Sequence, residues 1–137
     1  MLKVVVIDAN AISRNLLGSV LANGGHNVIG DANTGSAGLA NMIKLQPQLV
    51  CIDIGTADDE GFSRLDTLRQ GLPKALFFVV SAKMEAGFVQ RALDWGVHGF
   101  IVKPFNAVTV LAGIRNAIIK LARQHKQPPA PSKELQT

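Results

Sequence analysis

The chain has 137 residues, is 47% hydrophobic and carries a formal net charge of +4. That is room for one domain with one core, and no apolar run approaches the roughly 20 residues needed to span a bilayer. Cys51 is the single cysteine, so an internal disulfide is excluded; a reducing, cytoplasmic setting is expected.

The elements alternate along the chain. Residues 2–7 (LKVVVI) read as a first strand, led into by Met1-Leu2-Lys3 with no mark of a secretory leader. Asn10 can cap a helix whose stripe is Ile12, Leu16, Leu17, Val20 and Leu21, closed by Gly24-Gly25. Residues 26–32 predict a weaker, edge-like second strand. Thr34 is the expected cap of a helix carrying Leu39, Met42, Ile43 and Leu45, ended by Pro47. Residues 49–53 predict strand three, followed by a polar loop over 55–61. A helix with Phe62, Leu65 and Leu68 stops at Gly71 and Pro73. Strand four is expected over 75–80 and a helix with Phe88, Val89, Ala92 and Leu93 over 84–95. Strand five spans 98–102, and a last helix spans about 106–124 with Val110, Leu111, Ile114, Ile118 and Leu121. Gln127-Pro128-Pro129-Ala130-Pro131 cannot continue a helix. Residues 1–124 are thus expected to form the domain, and 125–137 a Pro-rich flexible tail or a truncated linker.

Short apolar, β-branched runs separated by helices read as buried parallel strands with right-handed crossovers: an α/β, three-layer (βα)5 sandwich. Four polar residues stand where the runs stop: Asp8, Asp53, Ser81 and Lys103. In an open parallel sheet the carboxyl ends of the strands line the ligand crevice. Two carboxylates, a hydroxyl and an amine therefore meet at one mouth, a set suited to receiving a phosphoryl group on a carboxylate. Lys120, Arg123, Lys126 and Lys133 make the end of the chain basic, but no aromatic residue interleaves them and no recognition motif accompanies them. Direct nucleic-acid binding is not expected, and neither is a membrane partner.

The VVVID start, PQLVCID over 47–53, Gly61 eight residues after Asp53, VVSA at 79–82 and FIVKPF at 100–105, in this order, resemble the CheY-like receiver domain of two-component response regulators. The resemblance implies a flavodoxin-like sheet of strand order 2-1-3-4-5. It implies that Asp53 accepts a phosphoryl group from a histidine kinase or histidine phosphotransfer protein. Lys103 then contacts the phosphoryl oxygens, and Ser81 hydrogen-bonds another oxygen and reports the event. Asp8, Asp53 and the backbone of Gly55 would hold Mg2+. The resemblance also implies a cis Lys103-Pro104 bond, and Phe100 at the switch-aromatic position. No output domain is seen, so the output would be contact with a downstream protein through helix four, strand five and helix five. That face is also the expected route to a homodimer. Arg91, Trp95 and Arg115 are its expected surface residues; Trp95 either covers the core or stands in the partner surface. Such a domain is a signalling module rather than an enzyme.

The chain departs from the family at Ala9, where a second acid usually follows Asp8. One fewer anionic ligand should weaken Mg2+ about ten- to a hundredfold. Asp58, Asp59 or Glu60 would have to approach from the loop to compensate. Ala57 stands where a loop proline is common, Gln48 where an acid is common, and Lys83 adds a cation near the mouth. The alternative reading is a pseudo-receiver that binds a partner without being phosphorylated.

Overall fold

The computed structural model describes residues 1–126. The five strands are β1 (Lys3–Ile7), β2 (Asn27–Ala32), β3 (Leu49–Ile52), β4 (Leu76–Ser81) and β5 (Gly99–Val102). The helices are α1 (Ala11–Asn23), α2 (Ser36–Lys44), α3 (Asp59–Gly71), α4 (Ala86–Trp95) and α5 (Ala107–Lys126). All strand pairings are parallel and the order is β2-β1-β3-β4-β5. This is the three-layer flavodoxin-like fold expected from the sequence. α5 runs two residues past its expected end, so 125 and 126 are helical rather than part of the tail expected over 125–137; the rest of that tail lies outside the described residues. No helix among the described residues is long and apolar enough to cross a membrane.

Alternation along the strands splits the core in two, because successive strand side chains point to opposite faces. Val5, Ile7, Val50, Ile52, Phe77 and Val79 pack with Leu39, Leu65, Leu68, Phe88 and Ala92 beneath α2, α3 and α4. Val4, Val6, Leu49, Cys51, Phe78 and Val80 pack with Leu17, Leu21, Val110 and Ile114 beneath α1 and α5. With both faces covered, β1 and β3 have no polar residue except at their ends, which is why they read as unbroken apolar runs. Cys51 is one of these core residues, and burial pushes its thiol up to about 12.

Three local expectations are corrected. The α1 stripe narrows to Leu17 and Leu21, with Val20 at its margin; Ile12 is 73% and Leu16 56% exposed. A helix lying on a sheet buries only one stripe, and the next i, i+4 row turns to solvent. α2 is capped by Gly35 without a side-chain bond, not by Thr34; Asn33 Oδ1 instead accepts from Gly35 N–H. On α4, Leu93 is half exposed while Phe88 and Ala92 face the sheet.

At the amino-terminal end of the sheet, side chains satisfy strand N–H groups that lack a ladder partner. Each comes from the residue just before a neighbouring strand. His26 Nδ1 accepts from Leu2 N–H at 3.4 Å, Gln48 Oε1 from Lys3 N–H at 2.9 Å and His98 Nδ1 from Phe77 N–H at 3.0 Å.

Candidate functional site: an acidic mouth bridged by one lysine

β1 and β3 are paired in register from Val4↔Leu49 to Ile7↔Ile52. The next residue of each strand, Asp8 and Asp53, therefore emerges side by side at the carboxyl end. β5 ends two strands away, and Lys103 reaches across. Its Nζ lies 2.8 Å from Asp8 Oδ2 and 2.7 Å from Asp53 Oδ2. Asp8 is buried, and Lys103 and Asp53 are each about one-fifth exposed. Burial alone would lower the Lys103 ammonium; hydrogen bonds and charge from Asp53 and Asp8 outweigh it and hold the group above its ordinary value. The lysine stays charged at neutral pH. The Lys103-Pro104 peptide is cis.

The two carboxylates are held at their other oxygens by backbone. Asn10 N–H donates to Asp8 Oδ1 at 2.8 Å, and Gly55 N–H donates to Asp53 Oδ1 at 2.9 Å. Gly55 sits at φ +86°, a left-handed conformation that favours glycine. Gly61 is glycine for a different reason: a Cβ there would lie 1.8 Å from the Thr56 carbonyl oxygen. This contact folds the β3–α3 loop tightly over the first turn of α3.

Beside Asp53 opens a cleft of about 440 Å³, walled by the Gly55–Ala57 loop, Ser81, Lys83 and Glu85, with Phe88 among its lining. The Ser81 hydroxyl is not turned to Asp53. It accepts from Lys83 N–H at 3.0 Å and donates to Lys83 C=O at 3.1 Å. Phe100 is partly buried against the core, its ring edge-on to Phe88 at 6.4 Å. The structure thus brings together Asp8, Asp53 and Lys103; the Ser81 hydroxyl is turned to Lys83, and Phe100 packs inward against Phe88.

The three loop acids do not replace the missing acid at Ala9. Asp58 caps α3: its Oδ1 accepts from Gly61 N–H at 3.1 Å and from the Thr56 hydroxyl at 2.7 Å. Those bonds, the Thr56 hydroxyl first, hold its carboxyl below its ordinary value. Asp59 pairs with Arg91 at 2.7 Å, and Glu60 lies 3.5 Å from Arg64. Among the described residues no group of three or more acidic, histidine or cysteine side chains converges as a metal site. What remains for a divalent cation is two carboxylates and backbone carbonyls. These are hard oxygen donors, which suit Mg2+ with water completing the shell.

The residues expected to mark one interaction face do not share a face. Arg91 stacks on Phe62 at 4.2 Å and pairs with Asp59, both on α3. Trp95 also turns to α3: its Nε1 donates to Asp66 at 2.7 Å, Arg69 stacks on it at 4.2 Å, and it meets Phe77 edge-on. Arg115 lines a cavity between α5 and the end of α1, with Leu111, Gly24 and His26. Sequence periodicity says which residues leave the core but not which neighbour receives them. Two arginines escaped the sequence reading. Arg14 donates to the Asp8 carbonyl at 2.7 Å and pairs with Asp31 at 3.0 Å. Arg64 donates to the Ile54 carbonyl. Neither bond to a backbone carbonyl leaves a spacing signal in the sequence.

The chain is similar to known proteins in sequence and in fold. The profile of the response regulator receiver domain matches residues 4–115. The chain is 28% identical over 116 residues to the chemotaxis protein CheY of Bacillus subtilis, covering 85% of this chain and 97% of that protein. It is 35% identical over 109 residues to a protein-glutamate methylesterase/protein-glutamine glutaminase of Geobacter sulfurreducens, covering 79% of this chain and 29% of that protein. In fold it matches the chemotaxis response regulator CheY4 of Vibrio cholerae with a TM-score of 0.72 at 22% identity, over 85% of this chain and 98% of the other. Five parallel strands in this order, the profile match over most of the chain and the similarity to CheY proteins converge: the chain belongs to the response regulator receiver domain family, a family of signalling domains.

Proposed function

We propose that this receiver is a phosphorylation switch in which Asp53 accepts a phosphoryl group from a histidine kinase or histidine phosphotransfer protein. The observation that carries the reading is Lys103 Nζ within 2.8 Å of both Asp8 and Asp53. A carboxylate oxygen of Asp53 attacks phosphorus as the bond to the donor nitrogen breaks. The imidazole leaves and takes a proton. Lys103 is already charged and aimed at Asp53, so its ammonium neutralises charge on the transferring oxygens without reorganising. Asp8 keeps that ammonium in place. Asp8, Asp53 and the Gly55 carbonyl would hold Mg2+, which when bound supplies further positive charge at the phosphoryl oxygens.

The output follows from what the new group attracts. Phosphorylation adds up to two negative charges and three strong acceptors beside Ser81. To turn toward them, Ser81 exchanges its two bonds to Lys83, and the space it leaves admits a shift of Phe100 against Phe88. Moving the domain from mostly off to mostly on needs about 3–5 kcal/mol of differential stabilisation. The output face is the free edge of β5 with the start of α5, where Val102 and Val108 are exposed apolar groups; a downstream protein or a second copy would dock there.

A second reading has a specific observation behind it. Ala9 removes an acid, and Asp58, the loop acid held by hydrogen bonds within the loop, is spent on capping α3, which favours a pseudo-receiver that binds without phosphorylation. One titration separates the two: beryllofluoride, a phosphoryl stand-in, with Mg2+, followed by amide NMR. Saturable, Mg2+-dependent binding that is lost in Asp53→Ala supports the switch. No binding at tens of millimolar Mg2+ supports the pseudo-receiver.

A further inference from the structure

We infer that Arg64 is a positioning residue for the acceptor carboxylate, acting through a single peptide group; the inference rests on the reading of Asp53 as acceptor. Arg64 lies on α3, one turn after Glu60, and its side chain turns back toward the start of the helix, as long helical side chains do. Its Nη1 donates to the Ile54 carbonyl, ten residues earlier. The amide of that same peptide is Gly55 N–H, which donates to Asp53 Oδ1 at 2.9 Å. A peptide unit is planar and rigid. The guanidinium grips one end of the plane and Asp53 is held by the other. Fixing the carbonyl therefore fixes the direction of the N–H, and with it the rotation of the carboxylate that leaves Oδ2 facing Lys103 at 2.7 Å.

Charge adds to geometry. A cationic donor on a carbonyl polarises the peptide and strengthens the hydrogen bond made by its N–H. Arg64 is 22% exposed in its side chain, so water does not fully screen the effect. The packing shows that the grip is close: a Cβ on Gly55 would come within 3.0 Å of Arg64 Nη1. The guanidinium has no strong competing tie. Its acidic neighbour Glu60 is 3.5 Å away and 77% exposed in its side chain, an arrangement worth little in solution.

Arg64→Met keeps the apolar stem and removes the charge; Arg64→Lys keeps a charge that can reach the carbonyl. Glu60→Gln removes the acid and leaves the carbonyl untouched. For each, hydrogen exchange at the Gly55 amide and beryllofluoride affinity with Mg2+ are measured, with thermal unfolding as the check on folding. Arg64→Met is expected to speed Gly55 exchange and to weaken beryllofluoride about ten- to thirtyfold, the scale of a lost charged hydrogen bond. Arg64→Lys should recover most of both, and Glu60→Gln should match the parent. Unchanged Gly55 exchange in a folded Arg64→Met protein overturns the inference. So does weakened binding that Arg64→Lys does not restore at all. If the parent itself does not bind beryllofluoride, the acceptor reading fails, and the Gly55 exchange rates still decide whether Arg64 holds the peptide.

Discussion

The two ends of the sheet use polar side chains in opposite ways. At the amino-terminal end, His26, Gln48 and His98 each accept a backbone N–H from the next strand. At the carboxyl end, Lys103 reaches from β5 across β4 and binds both Asp53 and Asp8, at 2.7 and 2.8 Å. Here backbone serves the side chains: Asn10 and Gly55 N–H orient the carboxylates, and Arg14 and Arg64 hold the carbonyls nearby. One end is finished by its polar groups and the other is prepared by them. A parallel sheet makes this division available, because all its strands stop at the same side and helices cover both faces.

The sharpest way to break the comparison is Lys103→Met. It leaves two carboxylates facing each other without their shared cation. Phosphorylation by a small acyl phosphate is expected to slow by about a hundredfold or more, the scale of losing one preorganised charge at a transferring group. A rate within threefold of the parent would show that Lys103 only braces the fold. Restoring the family's acid is the next largest change. Ala9→Asp should tighten Mg2+ about ten- to a hundredfold by calorimetry. An unchanged affinity would mean that the residue at this position does not reach the cation.

The opposite end predicts smaller effects, on stability rather than chemistry. His98→Ala removes the acceptor of a buried strand N–H and should cost about 1–2 kcal/mol in denaturant melts. The parent's pH dependence has a definite sign. Burial, then the charges of Arg69 and Lys120, lower the His98 imidazole below its usual 6.5, and the bond that Nδ1 accepts from Phe77 N–H also favours the neutral ring. The unfolded chain therefore binds a proton that the folded chain resists. The contribution is complete above pH 6.5 and is lost as pH falls below it. Burial first, then the chain's amino terminus, shift His26 in the same direction. Melts at pH 7.5 and 5.5 should show the loss, and His98→Ala should make it shallower. Gln48→Ala, at an exposed bond, should cost at most about 1 kcal/mol with no dependence on pH across this range. A rate of phosphorylation changed by either substitution would mean that the two ends are coupled.

Much of this is legible in the residue order. Runs such as KVVVI and LVCI could only be strands covered on both faces, and the residues that end them had to lie at one mouth. Asp8, Asp53 and Lys103 met there because strand register carries sequence position directly into space. The helices were less legible. Periodicity marked an apolar stripe on α1, but the sheet covered only the part with Leu17 and Leu21, leaving Ile12 and Leu16 outside. The surface residues were least legible of all. Arg91 reads as a surface residue and Trp95 as either a cover for the core or a surface residue, and nothing local predicts the salt bridge to Asp59 or the bond to Asp66, which span 32 and 29 positions in the chain.

The sequence by itself determined the strands, their burial and the chemical kinds gathered at the mouth, because burial on two faces and the 3.6-residue turn are local patterns written in residue order. Only the tertiary structure decided that Ser81 faces Lys83, that Asp58, Asp59 and Glu60 are drawn away from the mouth, and that Arg64 holds the peptide behind Asp53. Those outcomes depend on which long side chain reaches which backbone group first, and that is set by the packing of α3 and α4 on the sheet.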